Sequence, residues 1–429
     1  MKKIANLLIE TWRLQKPASV VILISTLVLV LFTMTKHRLT TNPRSRIITV
    51  ERILEAGTLA HATSTDTTPF PLSEDAIKSK LDGNIYSSKP PLYSFVLAAT
   101  AYPVKWLTGW NFFDHQVNYI RFLVLINQVI PFLLLLILAL RLGMYYTTDK
   151  SALTFLILAI SAGCLAYAYT VTINNHSTAA CWIFFSFFFV HSITSNGKNE
   201  TWRFVAAGFL AGLAFSYELT TLAIGFVFLA VLFFKDSTRG FAALAAASAP
   251  VIITFVIYYL VTGDWKPATL QSDTFRFAGS YWNEKQGLDL LDEPKWKYAF
   301  HAIFGHHGYF SITPVLLLIP VAWIGGEWKK FGSPVSLFHL VALGAIPIVV
   351  FIIWKTSNYG GTCIGMRWWI SFSPLLMFSA LPVIESLCKS IAGRILMILM
   401  ICASFPALYS AFRYEAFVPS WLETWWGIG

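Results

Sequence analysis

Long apolar blocks, separated by short polar or basic links, run through most of the chain. A helix needs roughly 20 apolar residues to cross the hydrocarbon core of a bilayer, and most of the blocks approach that length. The pattern predicts an all-α polytopic membrane protein with about 11 transmembrane helices. The blocks cover residues 18–36, 119–142, 151–172, 176–195, 203–217, 218–235, 239–262, 309–326, 336–354, 368–387 and 393–411.

The basic links between the blocks predict the orientation, because Lys and Arg collect in cytoplasmic loops. The links alternate consistently if the basic N-terminus is cytoplasmic and block 119–142 enters from outside. Block 18–36 also leads outside, so an even number of crossings must separate these two blocks. A weaker block, 91–107, is therefore expected to lie on the outer surface as a juxtamembrane helix.

This topology places two long loops outside, 37–118 and 263–308, together with the C-terminal tail. We divide the chain into an N-terminal transmembrane module at 1–262, the second outer loop, and the C-terminal helices and tail at 309–429. The first apolar run is not followed by a small-residue cleavage site, so the first span is expected to be retained.

Composition narrows the class of protein. The 429 residues are 56% hydrophobic and 13% charged, and the mean hydropathy is +0.61. A soluble domain carries about 25% charged residues, which excludes a soluble enzyme. The net charge of +10 suits cytoplasmic loops and lipid headgroups of an inner membrane, and does not indicate a nucleic-acid partner.

The strongest local signal in the first loop is the segment DGNIYSSKPPL, which ends at Leu92. Its Asp-Gly and Pro-Pro pairs predict a turn and then an extended entry into the weak block. Lys89 would lie at headgroup depth, where its ammonium can meet a lipid phosphate as a point charge. The alternative is a lysine that only anchors the helix at the interface.

Two arginines stand at the start of another first-loop segment. Arg44 and Arg46 precede apolar positions that share one helical face, and Gly57 ends the segment. This predicts a short amphipathic helix. Its arginines are expected either to assist phosphate binding or to anchor the helix to headgroups.

Polar residues also interrupt the apolar blocks at the predicted outer face. Asn174, Asn175 and His176 open one block, and Glu218 breaks a long apolar run. Buried polar groups need partners. The Asn and His residues are therefore expected to bind a sugar hydroxyl or a phosphate, or else to cap the helix. Glu218 is expected to have a functional role, or else to bond a neighbouring span.

The later loops add three candidate substrate- or phosphate-binding residues, His307, Tyr359 and Arg367. Adjacent His306 and His307 form a poor two-histidine metal site, so no cofactor is assigned and a divalent metal is left open. Tyr359 and Arg367 flank a glycine-rich turn. Arginine suits bidentate phosphate binding, and an aromatic ring suits the face of a sugar.

Together these segments resemble the GT-C superfamily of membrane glycosyltransferases, most closely the branch with the protein O-mannosyltransferases and the lipid A aminoarabinose transferase. The likeness covers roughly residues 1–400 and is most specific in the first loop. The matching positions are Leu54 to Gly57, Asp82-Gly83, Tyr86, Lys89 to Leu92, Asn174 to His176, Gly308 to Ser311, Pro314 and Gly365 to Trp368.

The resemblance implies an inverting transferase that takes a sugar from a polyprenyl-phosphate donor on the extracytoplasmic face. It implies that Lys89 binds the donor phosphate. The acceptor, whether a lipid, a glycan or a protein, stays open.

One departure from the family concerns the general base. The branch carries an acid just after the first span, but residues 34–50 contain none. A similar bacterial subgroup reads Ser-Arg, then Gly-Thr, then a stretch with an Asp; Arg46, Gly57 and Asp75 match that pattern. Asp75 is therefore the first candidate for the base and Glu218 the second, while an ionised acceptor would need no base.

Two other classes of protein stay open. A transporter or flippase of lipid-linked sugars would need polar residues deep in several spans, whereas here they gather at one face. A non-catalytic relative that serves as an assembly subunit is compatible with the missing early acid.

Overall fold

The computed structural model describes residues 12–35, 40–63, 75–283, 293–325, 337–356, 358–360 and 363–413. The predicted outer C-terminal tail, 414–429, lies outside the described residues. In the described residues the apolar blocks are mainly helical, because backbone groups surrounded by lipid must find their hydrogen-bond partners within the segment itself.

The helices that carry the apolar blocks follow one another along the chain with short links. They are α1 (Lys16–Thr35), α4 (Gln116–Tyr146), α5 (Lys150–Ser161), α6 (Leu165–Val171), α7 (Asn175–Thr194), α8 (Thr201–Tyr217), α9 (Leu222–Lys235), α10 (Ser237–Thr262), α12 (Tyr309–Ile312), α13 (Leu318–Ile324), α14 (Leu337–Lys355), α15 (Ser373–Phe378), α16 (Leu381–Cys388) and α17 (Ile391–Arg413).

The first and second long loops add further elements. These are α2 (Thr41–Ala56), β1 (Ala76–Lys78), β2 (Ile85–Ser87), α3 (Pro91–Thr108) and α11 (Lys295–Ile303). Short 3₁₀ turns lie at Leu219–Thr221, Ala268–Leu270, Tyr281–Asn283, Pro314–Leu317 and Arg367–Phe372.

In the part of the chain that the structure describes, six helices are long and apolar enough to cross a membrane. Two bent pairs, Lys150–Ser161 with Leu165–Val171 and Arg367–Phe378 with Leu381–Cys388, raise this number to eight if each pair is one span. The chain is thus an all-α, multi-pass membrane protein. The predicted count of about 11 also included shorter apolar helices, such as the 17-residue α8.

The first loop folds as the sequence predicts at two places. The amphipathic segment forms α2, and Gly57 ends it in the left-handed conformation with φ 64°, which glycine adopts without steric cost. Residues 91–108 form α3, with prolines at its start, where a missing N–H costs nothing.

The two long loops are bonded to each other. The backbone N–H of Lys78 donates to the carbonyl of Thr274 at 2.9 Å, and Lys80 pairs with Asp273 at 2.5 Å. Both loops therefore lie at the same end of the helical bundle.

Candidate functional site

A buried ion pair joins Asp75 and Lys89 in the first loop. The antiparallel strands pair Ala76 with Ser87, so Asp75, just before β1, faces the residues just after β2. The carboxylate lies 2.7 Å from the Lys89 ammonium, and the side chains are only 13% and 12% exposed. The strand register therefore creates a contact between residues 14 positions apart.

The turn of this hairpin explains the Asp-Gly signal. Gly83 takes φ 73°, and the Asp82 carboxylate accepts from the backbone N–H of Asn84 at 2.9 Å. The turn fixes the register of β1 and β2, and with it the position of Lys89.

The electrostatic surroundings keep both members of the pair charged near neutral pH. Burial raises the pKa of Asp75, but the charges of Lys89, Arg367 and Arg46 outweigh burial and hold that pKa below its usual value. Burial lowers the pKa of Lys89 to about 8; Arg367 and Arg46 act in the same direction, and Asp75 opposes them. Three cations thus act on one carboxylate.

Arg46 is fully buried on α2. Its guanidinium donates to the side chain of Asn42 one turn earlier and to Oδ1 of Asn175 at 2.6 Å. It also lies 5.7 Å from the ring centroid of Tyr93, a distance typical of a cation–π contact. Arg44 lies on another side of α2 and is exposed, so the two predicted arginines have different surroundings.

A polar chain continues from Arg46 to Glu218. Asn175 donates to Oε2 of Glu218 at 2.7 Å, and His176 Nδ1 lies 2.5 Å from the same oxygen. The Thr220 hydroxyl donates to Oε1 at 3.3 Å. Glu218 therefore bonds a neighbouring helix, which is one of the two roles expected from the sequence.

Asn174 has a structural role at the start of α7. Its side chain accepts from the backbone N–H groups of His176 and Ser177, which satisfies donors that a helix N-terminus leaves free. Capping fixes the start of α7 and so the directions in which Asn175 and His176 point.

His307, Tyr359 and Arg367 belong to a neighbouring group of side chains. The His307 ring stacks on the Tyr359 ring with centroids 5.0 Å apart, and the Tyr359 hydroxyl donates to the Glu293 carboxylate. The turn at Gly360 lies against Arg367, since a Cβ at Gly360 would come within 3.2 Å of that side chain. His307 and Tyr359 therefore support the turn beside Arg367.

The described residues hold no group of three or more His, Cys, Asp or Glu side chains that could bind a metal ion. His306 and His307 instead approach each other through their Nδ1 atoms at 2.5 Å.

Lys89 lines a small, partly open cleft with room for about 20 Å³. Ser87 and Thr49 add polar atoms to its lining, while Ile77 and, from α10, Ile257 and Val261 add apolar side chains. The cleft therefore combines one cation with apolar walls.

The sequence analysis missed Gln128, whose hydrogen bonds hold two residues of the site in place. It donates to the Tyr93 hydroxyl at 2.6 Å and to the carbonyl of Asn174 at 2.7 Å. A π-helical turn, Leu125–Val129, presents it. The available signal was the polar pair Asn127-Gln128 inside an apolar block.

Ser45 was also missed. Its hydroxyl lies 2.7 Å from the Ser87 hydroxyl and donates to the carbonyl of Asp75 at 3.2 Å. These bonds dock α2 on the hairpin, which brings Arg46 beside the Asp75–Lys89 pair.

Comparisons with protein-family models, with curated proteins and with solved structures found no match to this chain.

Proposed function

We propose that the chain is an inverting membrane glycosyltransferase that moves a sugar from a polyprenyl-phosphate donor to an acceptor on the extracytoplasmic face. The observation that carries the proposal is the buried pair of Lys89 and Asp75, in which Lys89 lines a cleft with apolar walls and Arg46 and Arg367 also act on the Asp75 carboxylate. An anionic headgroup with a long apolar tail suits such a site.

The three cations would stabilise the departing lipid phosphate. Charge that develops on a leaving group is best stabilised by fixed donors in a site with little water. Lys89 is largely buried where it lines the cleft, and Arg46 is held by Asn42 and Asn175. Both would be oriented before the donor arrives.

Asp75 is favoured over Glu218 as the general base. Glu218 is already bonded to Asn175, His176 and Thr220, whereas Asp75 is paired with Lys89, which lines the cleft. The acceptor oxygen would bond to the anomeric carbon, and the bond from that carbon to the phosphate oxygen would break. The bonding pair would leave on the phosphate, and the acceptor proton would pass to Asp75.

The alternatives are a flippase for lipid-linked sugars and a non-catalytic assembly subunit. The polar chain from Arg46 to Glu218 lies at the start of α7 rather than along the middle of several helices, which favours an enzyme over a transporter.

Transfer of label tests the proposal directly. Purified protein would be reconstituted in liposomes with undecaprenyl phosphate carrying a tritiated hexose or pentose, and native membrane extract would supply acceptors. We expect labelled product and free undecaprenyl phosphate. Label that crosses the bilayer still attached to its lipid would indicate a flippase, and protein that neither binds nor converts any donor of the set would contradict the proposal.

A matched control is Asp273→Asn. It removes the carboxylate of the ion pair that joins the second loop to Lys80 of the first, and that carboxylate is 62% exposed. Its transfer rate should equal that of the wild type.

A further inference from the structure

We propose that Asp75 substitutes for the donor phosphate while the site is empty: its carboxylate occupies Lys89, the arriving phosphate displaces it, and the released carboxylate then serves the acceptor. This inference rests on the proposed function and adds a regulatory step to it. The contact that carries it is the 2.7 Å ion pair between Asp75 and Lys89.

Charge balance makes such an exchange feasible. A buried cation without a counter-ion is costly, so the group of Lys89, Arg46 and Arg367 needs an anion when no donor is bound. The phosphodiester of a polyprenyl-phosphate sugar carries one negative charge, as does the Asp75 carboxylate. Exchanging one for the other at Lys89 therefore leaves the charge beside that ammonium unchanged.

The backbone geometry allows the carboxylate to move without unfolding the loop. The carbonyl of Asp75 accepts from the N–H of Ser88 at 2.8 Å and from the hydroxyl of Ser45 at 3.2 Å. The main chain is thus held in place, so the exchange requires only that the side chain change its χ1 rotamer.

The exchange would also change the basicity of Asp75. In the empty site the three cations favour the ionised carboxylate and make it a weak base. A bound phosphate would neutralise part of their field and add a like charge, and both effects favour the protonated acid. Asp75 would then accept a proton readily only after the donor has bound, so donor binding would precede deprotonation of the acceptor.

The test measures binding of undecaprenyl methyl phosphate, a phosphodiester with the donor's single charge and no sugar to transfer. If Asp75 competes for Lys89, Asp75→Asn should bind this probe at least about tenfold more tightly than the wild type, which is close to the smallest coupling measured for close charge pairs, although its transfer rate falls. Asp75→Ser serves the same purpose, and the variant with wild-type size-exclusion and melting behaviour is used. Tighter binding combined with slower transfer is not expected of a purely structural residue.

A double-variant cycle separates competition at Lys89 from general repulsion. In a Lys89→Ala background the effect of Asp75→Asn on probe binding should disappear, because no ammonium is left to compete for. A gain that persists in that background overturns the inference, as does equal or weaker binding by Asp75→Asn alone. Asp273→Asn should leave probe affinity unchanged.

Failure of the inference can be told apart from failure of the proposed function. If the wild type binds the probe and the neutral variant does not bind it more tightly, only the exchange is wrong. If neither folded wild type nor folded variant binds the probe, the phosphate site itself is wrong and both proposals fall.

Discussion

The strand register places Lys89 beside Asp75, and Lys89 also lines the cleft where we propose that the donor phosphate binds. If its ammonium stabilises the leaving phosphate, Lys89→Ala should reduce transfer about a hundredfold, since losing one such contact in a site with little water costs roughly 3 kcal/mol. Lys89→Arg should recover only part, because a planar fork replaces a compact ammonium. Transfer assays on folded protein measure this. Near-wild-type activity in Lys89→Ala would mean that Lys89 does not bind the phosphate and only anchors the helix at the interface.

The same lysine predicts an alkaline limit. Its pKa of about 8 means that the ammonium is charged below about pH 8 and becomes neutral above it, so donor affinity should fall as pH rises through that value. Arginine keeps its charge, so Lys89→Arg should move the limit upward even though its maximal rate is lower. An alkaline limit that is the same in both proteins would assign it to another group.

Among the elements, α8 and α10 make a contact on which the site depends. A Cβ at Gly212 would overlap the backbone of Ala247, so the two helices approach as closely as small residues allow. The C-terminus of α8 leads into Glu218, and α10 lines the cleft. Gly212→Ala should therefore push α8 and α10 apart, displace Glu218 and the cleft wall, and destabilise the protein by about 1–3 kcal/mol.

Thermal unfolding in detergent measures that loss, and Gly225→Ala on α9 is the control. There an added Cβ would lie at an ordinary 3.7 Å from Ala211, and alanine favours a helix more than glycine does. Gly225→Ala should melt at or above the wild-type temperature. A Gly212→Ala protein with unchanged melting would mean that the helices have room to part.

The elements also show how far a single sequence can be interpreted. Most continuous apolar runs locate a helix to within a few residues, and Gly57 marks the end of α2 as expected. Blocks 151–172, 309–326 and 368–387 instead divide into shorter helices. The Asp75–Lys89 pair could not be predicted as a contact, because it depends on the register of a hairpin with three-residue strands. Likewise, the bond from Arg46 to Asn175 spans 129 residues, and neither periodicity nor a local motif encodes such a distance.

At the scale of the whole molecule, the bond between Lys78 and Thr274 places both long loops at one end of the bundle. The basic links predict that this end is extracytoplasmic. In a Cys402→Ser background, which removes the exposed thiol among the described residues, an Asp273→Cys protein should react with an impermeant maleimide in intact cells. Lys198→Cys should react only after lysis, and the reverse pattern would put the proposed site on the cytoplasmic side.

The bond between Arg46 and Asn175 can form only after α7 has been made during synthesis of the chain. The two partners are made 129 residues apart, which at about 5–20 residues per second is a delay of roughly 6–26 s. During that interval α2 has left the ribosome, but the helix that accepts its guanidinium has not been synthesised. Until α7 is inserted, the first loop lacks its contact with Asn175 and stays accessible to proteases. A substitution that slows insertion of α7 would therefore lower the yield of active protein without altering any side chain of the finished site.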